Sequence, residues 1–422
     1  SRNWLKQVMR LRQKRWPVCH LTGHLILIGT GIITSILTGK PNHWILLSKS
    51  LSRRLAKVKI VTELHELHRL ASKRLQDHIE KHRQTPDVTL AKHIRYIQEQ
   101  KANMISGKKL VYLDTLAWKC LADYKLKKPK LTDAMIMFAE TFFAKAHSGQ
   151  YVFPIAFPTF VELDALVIPE TRAVLNDLVD EFSSGFCIVH QHERIREELV
   201  QLTSAQWNVH KAASDYLCSP LELMELSYPT LPAFVTASID QNTFNKAWFD
   251  AMTELPMSAQ LKVAATAPDE KWNNELGLTS LNEAKIKYQG DVGTLKQAIF
   301  VELKGCIEAW ADIEGQAIEP KIVAEMACYI MAIWQSDTFY LAFPTLRVLS
   351  ALHGSLRTDP NRRFKSGDLN DFSVAADALS ICDVFLTDRR LANLISSEEL
   401  DLGTLLGCQV IHGFEAMASY FS

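Results

Sequence analysis

The feature that most constrains this chain is a series of short apolar runs that pass into helical sequence with almost no connecting residues. KKLVYLDTLAWKCLADY, 108–124, opens as a strand, ends on Asp114 and runs directly into a helix. TDAMIMFAETFFAKAHSG, 132–149, reads as a second helix, with Thr132 placed to cap its start and Gly149 to stop it. YVFPIAF, 151–157, is the next strand, and PTFVELDAL opens another helix with Pro158 in its first turn. FCIVH, 186–190, is a third strand. Strand, helix, strand, helix, strand at these lengths predicts an α/β fold with a parallel sheet covered by helices.

The alternation stops near Gln191 and resumes after Pro344. The stretch between is mostly helical and carries five of the nine tryptophans, 207, 248, 272, 310 and 334. The α/β texture returns in GDLNDFSVAADALSICDVFLTDRR, 367–390, with a helix from Phe372 to Ser380 and a strand from Asp383 to Leu386. GCQVIHGFEAMASY supplies a last strand and helix. Joining 107–190 to 345–422 gives about 160 residues, a normal size for one compact domain. Residues 191–344 then read as a helical insertion into it, and 1–106 as a basic, mainly helical region that precedes it. Within that region, Leu51–His82 has apolar residues at three- and four-residue spacing and no Gly or Pro, the pattern of a long amphipathic helix.

Ligands of parallel α/β sheets bind outside the carboxyl ends of the strands. Asp114 ends the first strand and Asp388 a later one, Asp371 stands at the start of its helix, and Glu162 lies one turn into the helix after YVFPIAF. Topology therefore places these four acids on one edge. Crowded carboxylates raise each other's pKa unless a cation neutralises them. A divalent ion with hard oxygen ligands, Mg²⁺ or Mn²⁺, resolves the conflict and suits phosphate chemistry. The bland reading is helix capping, which suits Asp368 better than Asp371. Asp377 and Asp383 are expected to face solvent or the turn before the strand.

These pieces resemble the PIN-domain nucleases. The match lies in VYLDTLAW with Asp114 and Thr115, FVEL with Glu162, NDFSVAADAL with Asp371, and VFLTDRRL with Thr387 and Asp388. The resemblance implies a three-layer parallel-sheet PIN-like domain and metal-dependent hydrolysis of phosphodiester bonds, most often of RNA, with Mg²⁺ or Mn²⁺ as cofactor. It makes Asp114, Glu162, Asp371 and Asp388 the catalytic and metal-binding set, and Thr115, Asn370, Thr387, Arg389 and Arg390 the substrate-binding residues. Here Asp388 follows Thr387 directly, where many members of the family have one residue between them. A second reading is a catalytically inactive PIN-like scaffold that binds nucleic acid, membrane or a protein. Phosphatase chemistry through a phospho-Asp is disfavoured, because LDTL lacks a second Asp two residues after the first.

Charge points to the partner. The chain is neutral overall, yet from Ser1 to Thr62 it holds no Asp or Glu and about twelve Lys and Arg. An arm of this kind suits a polyanion, nucleic acid or an anionic membrane surface, with RNA favoured over DNA by the resemblance. The helical insertion is a candidate surface for a protein partner, and a homo-oligomer stays open. The apolar run HLILIGTGIITSILTG, 24–39, is shorter than the roughly twenty residues a spanning helix needs. A buried or interfacial segment is the favoured reading, with membrane contact as the lesser one. The eight scattered cysteines form no CxxC pair, which suits reduced thiols and a cytoplasmic setting, with peripheral membrane association left open. His65 with His68, and His78 with His82, are spaced to share a helix face and could ligate zinc, but no acid or Cys partner stands at a telling sequence spacing.

Overall fold

The computed structural model describes residues 58–202, 213–223, 228–231, 239–264, 278–287 and 292–422. The apolar run 24–39, nearly all of the basic arm, and Trp207 and Trp272 lie outside the described residues. No helix among the described residues is long and apolar enough to cross a membrane.

The chain forms two compact units. One takes its described residues from Gly107–Leu217 and Trp272–Ser422, the other from Arg15–Ser106 and Cys218–Lys271. The stretch 191–344, read from sequence as one insertion, is divided between them. Its helices Gln191–Gln201 and Leu295–Ile313 pack on the helix Pro344–Thr358 within the first unit. Gly354 permits the second of these contacts, since a Cβ there would lie 3.0 Å from the backbone nitrogen of Ile299.

The first unit is α/β, as the alternation predicts. Four strands, β1 (Lys109–Leu113), β2 (Tyr151–Val152), β4 (Val384–Thr387) and β5 (Gln409–His412), make a parallel sheet in the order β2-β1-β4-β5. A parallel bridge from Ile155 to Cys187 brings β3 (Cys187–Ile188) beside the chain that continues β2. The central pair is in register from Val111 opposite Val384 to Leu113 opposite Leu386. Both strands are buried almost throughout, which is why LVYL and VFLT read as unbroken apolar runs and not as alternation. The order of strands reverses between β1 and β4, and such a switch point is where a crevice opens at the carboxyl edge.

Two buried polar contacts fix the helices that flank this edge. Tyr112 and Thr159 share a hydroxyl hydrogen bond of 2.7 Å, which holds the helix Phe157–Ala165 against β1. Arg194, fully buried, donates to the Asp377 carboxylate and to Thr345 Oγ1 at 3.0 Å, tying the 191–201 helix to the helix Asp368–Ile381. Asp377 therefore does not face solvent, contrary to expectation. Its position between Ala376 and Ala378 on a helix buried on nearly every side forces it inward, and Arg194 is what makes that tolerable.

The second unit is helical. Of the helices Val58–Arg83, Leu90–Ile105 and Gln241–Thr253, the first and third close over a core that includes Leu75, Ile79, Phe244, Trp248 and Met252, and the second packs on the third. Thr89 and Asp240 cap the second and third of these by accepting from the backbone N–H of Lys92 and Thr243.

Candidate active site

The two central strands each deliver an aspartate at the switch point. Asp114 follows β1 and Asp388 follows β4, and both have extended backbone and cap the helix that comes next. Asp114 Oδ1 accepts from the Thr115 N–H at 2.6 Å, and Asp114 Oδ2 accepts from Thr387 Oγ1 at 2.7 Å. Thr387 is wholly buried, so its hydroxyl fixes the second oxygen of Asp114 in place. Asp388 Oδ1 accepts from the N–H groups of Arg390, at 2.6 Å, and Leu391, at 3.1 Å.

The other two acids come from helices. Glu162 projects from 157–165, and its Oε1 accepts from Asn370 Nδ2 at 2.5 Å. Asp371, one residue further on, lies in the first turn of 368–381 but makes no cap for it. Thr115 Oγ1 is buried without a hydrogen bond of good geometry and faces the Glu162 carboxylate.

The four acids lie within electrostatic reach of one another. Burial, with added repulsion from Glu162 and Asp388, pushes Asp114 up to about 7, even though Thr387 and the Thr115 N–H pull it down. Burial, then the charges of Asp114, Glu162 and Asp388, pushes Asp371 up to about 8. Glu162 is raised by burial against the opposing bonds from Thr115 and Asn370. Among the described residues, no three of these acids bring oxygens within 4.8 Å of one another.

The arginines divide. Arg389 is exposed, whereas Arg390 turns back to pair with Asp368, a carboxylate only 1% exposed. Arg362 stands 3.8 Å from the same carboxylate. Asp368 is thus an ion-pair centre and not the helix cap expected of it; its second oxygen accepts from the Lys365 N–H at 2.7 Å. Arg362, Arg389, Arg390 and Asn393 line an open groove of about 590 Å³. Arg362 was not singled out from sequence, because nothing in RTDPNRRFKSGD separates one arginine from its neighbours.

The raised carboxyls carry a stability signature. The unfolded chain loses the Asp371 proton near 3.8, while the folded chain holds it to about 8. Its contribution to stability is whole below the first value and is lost as pH rises through the second. Asp371→Asn is therefore expected to stabilise the protein at pH 8.5 by several kcal/mol and to change little at pH 4. Thermal melts of both proteins at the two pH values measure this, and an equal effect at both would contradict it.

Comparison with protein-family models, with curated proteins and with solved structures finds no match.

Proposed function

We propose that the α/β unit is a PIN-like, three-layer nuclease domain that hydrolyses phosphodiester bonds of RNA with the help of Mg²⁺ or Mn²⁺. The observation that carries this reading is the meeting of Asp114, Glu162, Asp371 and Asp388 at the switch point of a parallel sheet, where burial and mutual repulsion raise Asp114 to about 7 and Asp371 to about 8. A fold keeps such repulsion when a bound cation repays it. The donors are all hard oxygens, and the buried Thr115 Oγ1, which faces the Glu162 carboxylate, adds another.

A bound Mg²⁺ or Mn²⁺ supplies a water of lowered pKa and neutralises charge on the phosphate. The protein's own groups arrange the rest. Thr387 and the Thr115 N–H orient Asp114, Asn370 orients Glu162, and the first-turn N–H groups of the 389–395 helix orient Asp388. Arg389 lines the groove together with Arg390 and Arg362, both of which stand against Asp368, and would receive a phosphodiester oxygen there. The three arginines of the groove would draw a nucleic-acid backbone in, and a cation held by the acids would offset their charge.

Incubation with labelled single-stranded RNA and DNA, with Mg²⁺ or Mn²⁺ and with chelator, tests the proposal. RNA cleavage that needs the ion and is suppressed by chelator is the expected result. Cleavage that survives chelator, or none under any condition, overturns it, and RNA binding without cleavage selects the inactive scaffold.

A further inference from the structure

The helical unit holds a second constellation that the nuclease reading does not use. His78 and His82, one turn apart on the helix 58–83, face Asp250 from the helix 241–253. Asp250 Oδ2 lies 2.8 Å from His82 Nε2 and 3.4 Å from His78 Nδ1. One donor atom from each of the three lies within 4.8 Å of the others, and this is the sole set of three ligand-type side chains that close among the described residues. His82 is 3% exposed and Asp250 6%.

We propose that His78 Nδ1, His82 Nε2 and Asp250 Oδ2 form a binding site for a divalent first-row transition-metal ion such as Zn²⁺. A tetrahedral ion with bonds of about 2.0–2.1 Å needs donors roughly 3.3 Å apart, close to the spacing seen here. Two imidazoles and a carboxylate are borderline donors that favour such an ion over Mg²⁺. They leave a fourth position for water.

The surroundings are those of a ligated site. A metal-bound histidine usually donates its other ring nitrogen to a carboxylate, which fixes the tautomer. His78 Nε2 lies 3.2 Å from Glu254 Oε1, so the nitrogen not aimed at Asp250 already has that partner. The other oxygen of Asp250 is 2.6 Å from His93 Nε2, which locks the carboxylate from the neighbouring helix. His93 stacks edge-on against His82, with ring centroids 4.6 Å apart, and is buried. Lys81 approaches Asp250 Oδ2 at 3.9 Å, but its side chain is 66% exposed and can swing into solvent as an ion enters. A hydrogen-bonded hub joining three helices explains the contacts to Asp250. It does not explain why two histidines at i and i+4 converge on one carboxylate oxygen with a carboxylate behind one of them.

The test is direct metal binding to the full chain. Purified protein stripped with chelator is titrated with Zn²⁺ against a chromophoric competitor, and separately with Co²⁺ while visible absorption is followed. The expected result is one equivalent bound with intense Co²⁺ d–d bands. His82→Gln and Asp250→Asn should weaken binding by at least about 100-fold, and Glu254→Gln by about 10–100-fold. Glu254 is half exposed, so that variant keeps the test alive if the buried ones do not fold. Absence of the Co²⁺ bands, or Zn²⁺ affinity unchanged by Glu254→Gln in folded protein, overturns the proposal. Neither outcome depends on nuclease activity.

Discussion

Asp114→Asn is expected to lower Mg²⁺- or Mn²⁺-dependent cleavage of single-stranded RNA by about 10³-fold, or about 4 kcal/mol in the barrier. The substitution isolates charge from structure. The asparagine carbonyl can still accept from the Thr115 N–H, so the cap of the helix 115–125 survives. Its amide can donate to Thr387 Oγ1 where the carboxylate accepted before, because a hydroxyl takes either role. What is lost is the anion at the end of β1 and one partner in the repulsion that raises Asp371. The variant should therefore fold and melt no lower than wild type at pH 8.5 while losing activity. Cleavage of RNA by Asp114→Asn at the wild-type rate would sink the proposed function. Loss of both fold and activity would show instead that Asp114 is chiefly structural, and Thr387→Val, which frees the carboxylate without removing it, would then carry the test. That variant is expected to fold and to lose about tenfold.

The architecture was legible because it rests on local pattern. β1 and β4 announced themselves as unbroken apolar runs, since burial on both faces leaves no polar alternation, and the helices between them carried Thr132 and Pro158 as start signals. The strand ends were legible for the same reason, and so were Asp114 and Asp388. Their local role was not. Capping is what the local sequence suggests for Asp368 and Asp371, yet the residues that cap are Asp114 and Asp388, because a strand that turns directly into a helix puts the residue after it at the N-cap. Capping and site membership coincide there, so the two readings were never exclusive. Long-range pairing was out of reach. Nothing near His78 and His82 marks Asp250 as their partner, nor does anything near Asp377 mark Arg194, since each pair is made by packing between elements more than 150 residues apart. Helicity alone likewise does not say which core a helix joins, and the described helices of 191–344 are shared between the two units.

Asp377→Ala is expected to cost about 3–5 kcal/mol of stability, read as a shift in the urea midpoint. Arg194 and Asp377 are 1% and 2% exposed, and burial raises the Asp377 carboxyl against the pull of the guanidinium. Removing the carboxylate leaves a permanent cation in the core, hydrogen-bonded to Thr345 Oγ1 and the Ala376 carbonyl, with the Glu198 carboxylate as a more distant counter-charge. The damage should spread toward the site. Phe343 begins the helix 344–358 with positive φ and no side-chain cap of its own; Glu198, one turn beyond Arg194, accepts instead from the N–H groups of Thr345 at 2.8 Å and Leu346 at 3.0 Å. Arg194 thus sits between the capping of one helix and the placement of the helix that carries Asn370 and Asp371. Because a buried ion pair gains little over apolar packing of the same volume, Arg194→Met combined with Asp377→Leu should recover most of the loss. If the double variant is as unstable as Asp377→Ala, the pair contributes by more than mutual neutralisation, and the hydrogen bonds from Arg194 to Thr345 on the 344–358 helix and to Ala376 on the 368–381 helix are what place the helix that carries Asp371.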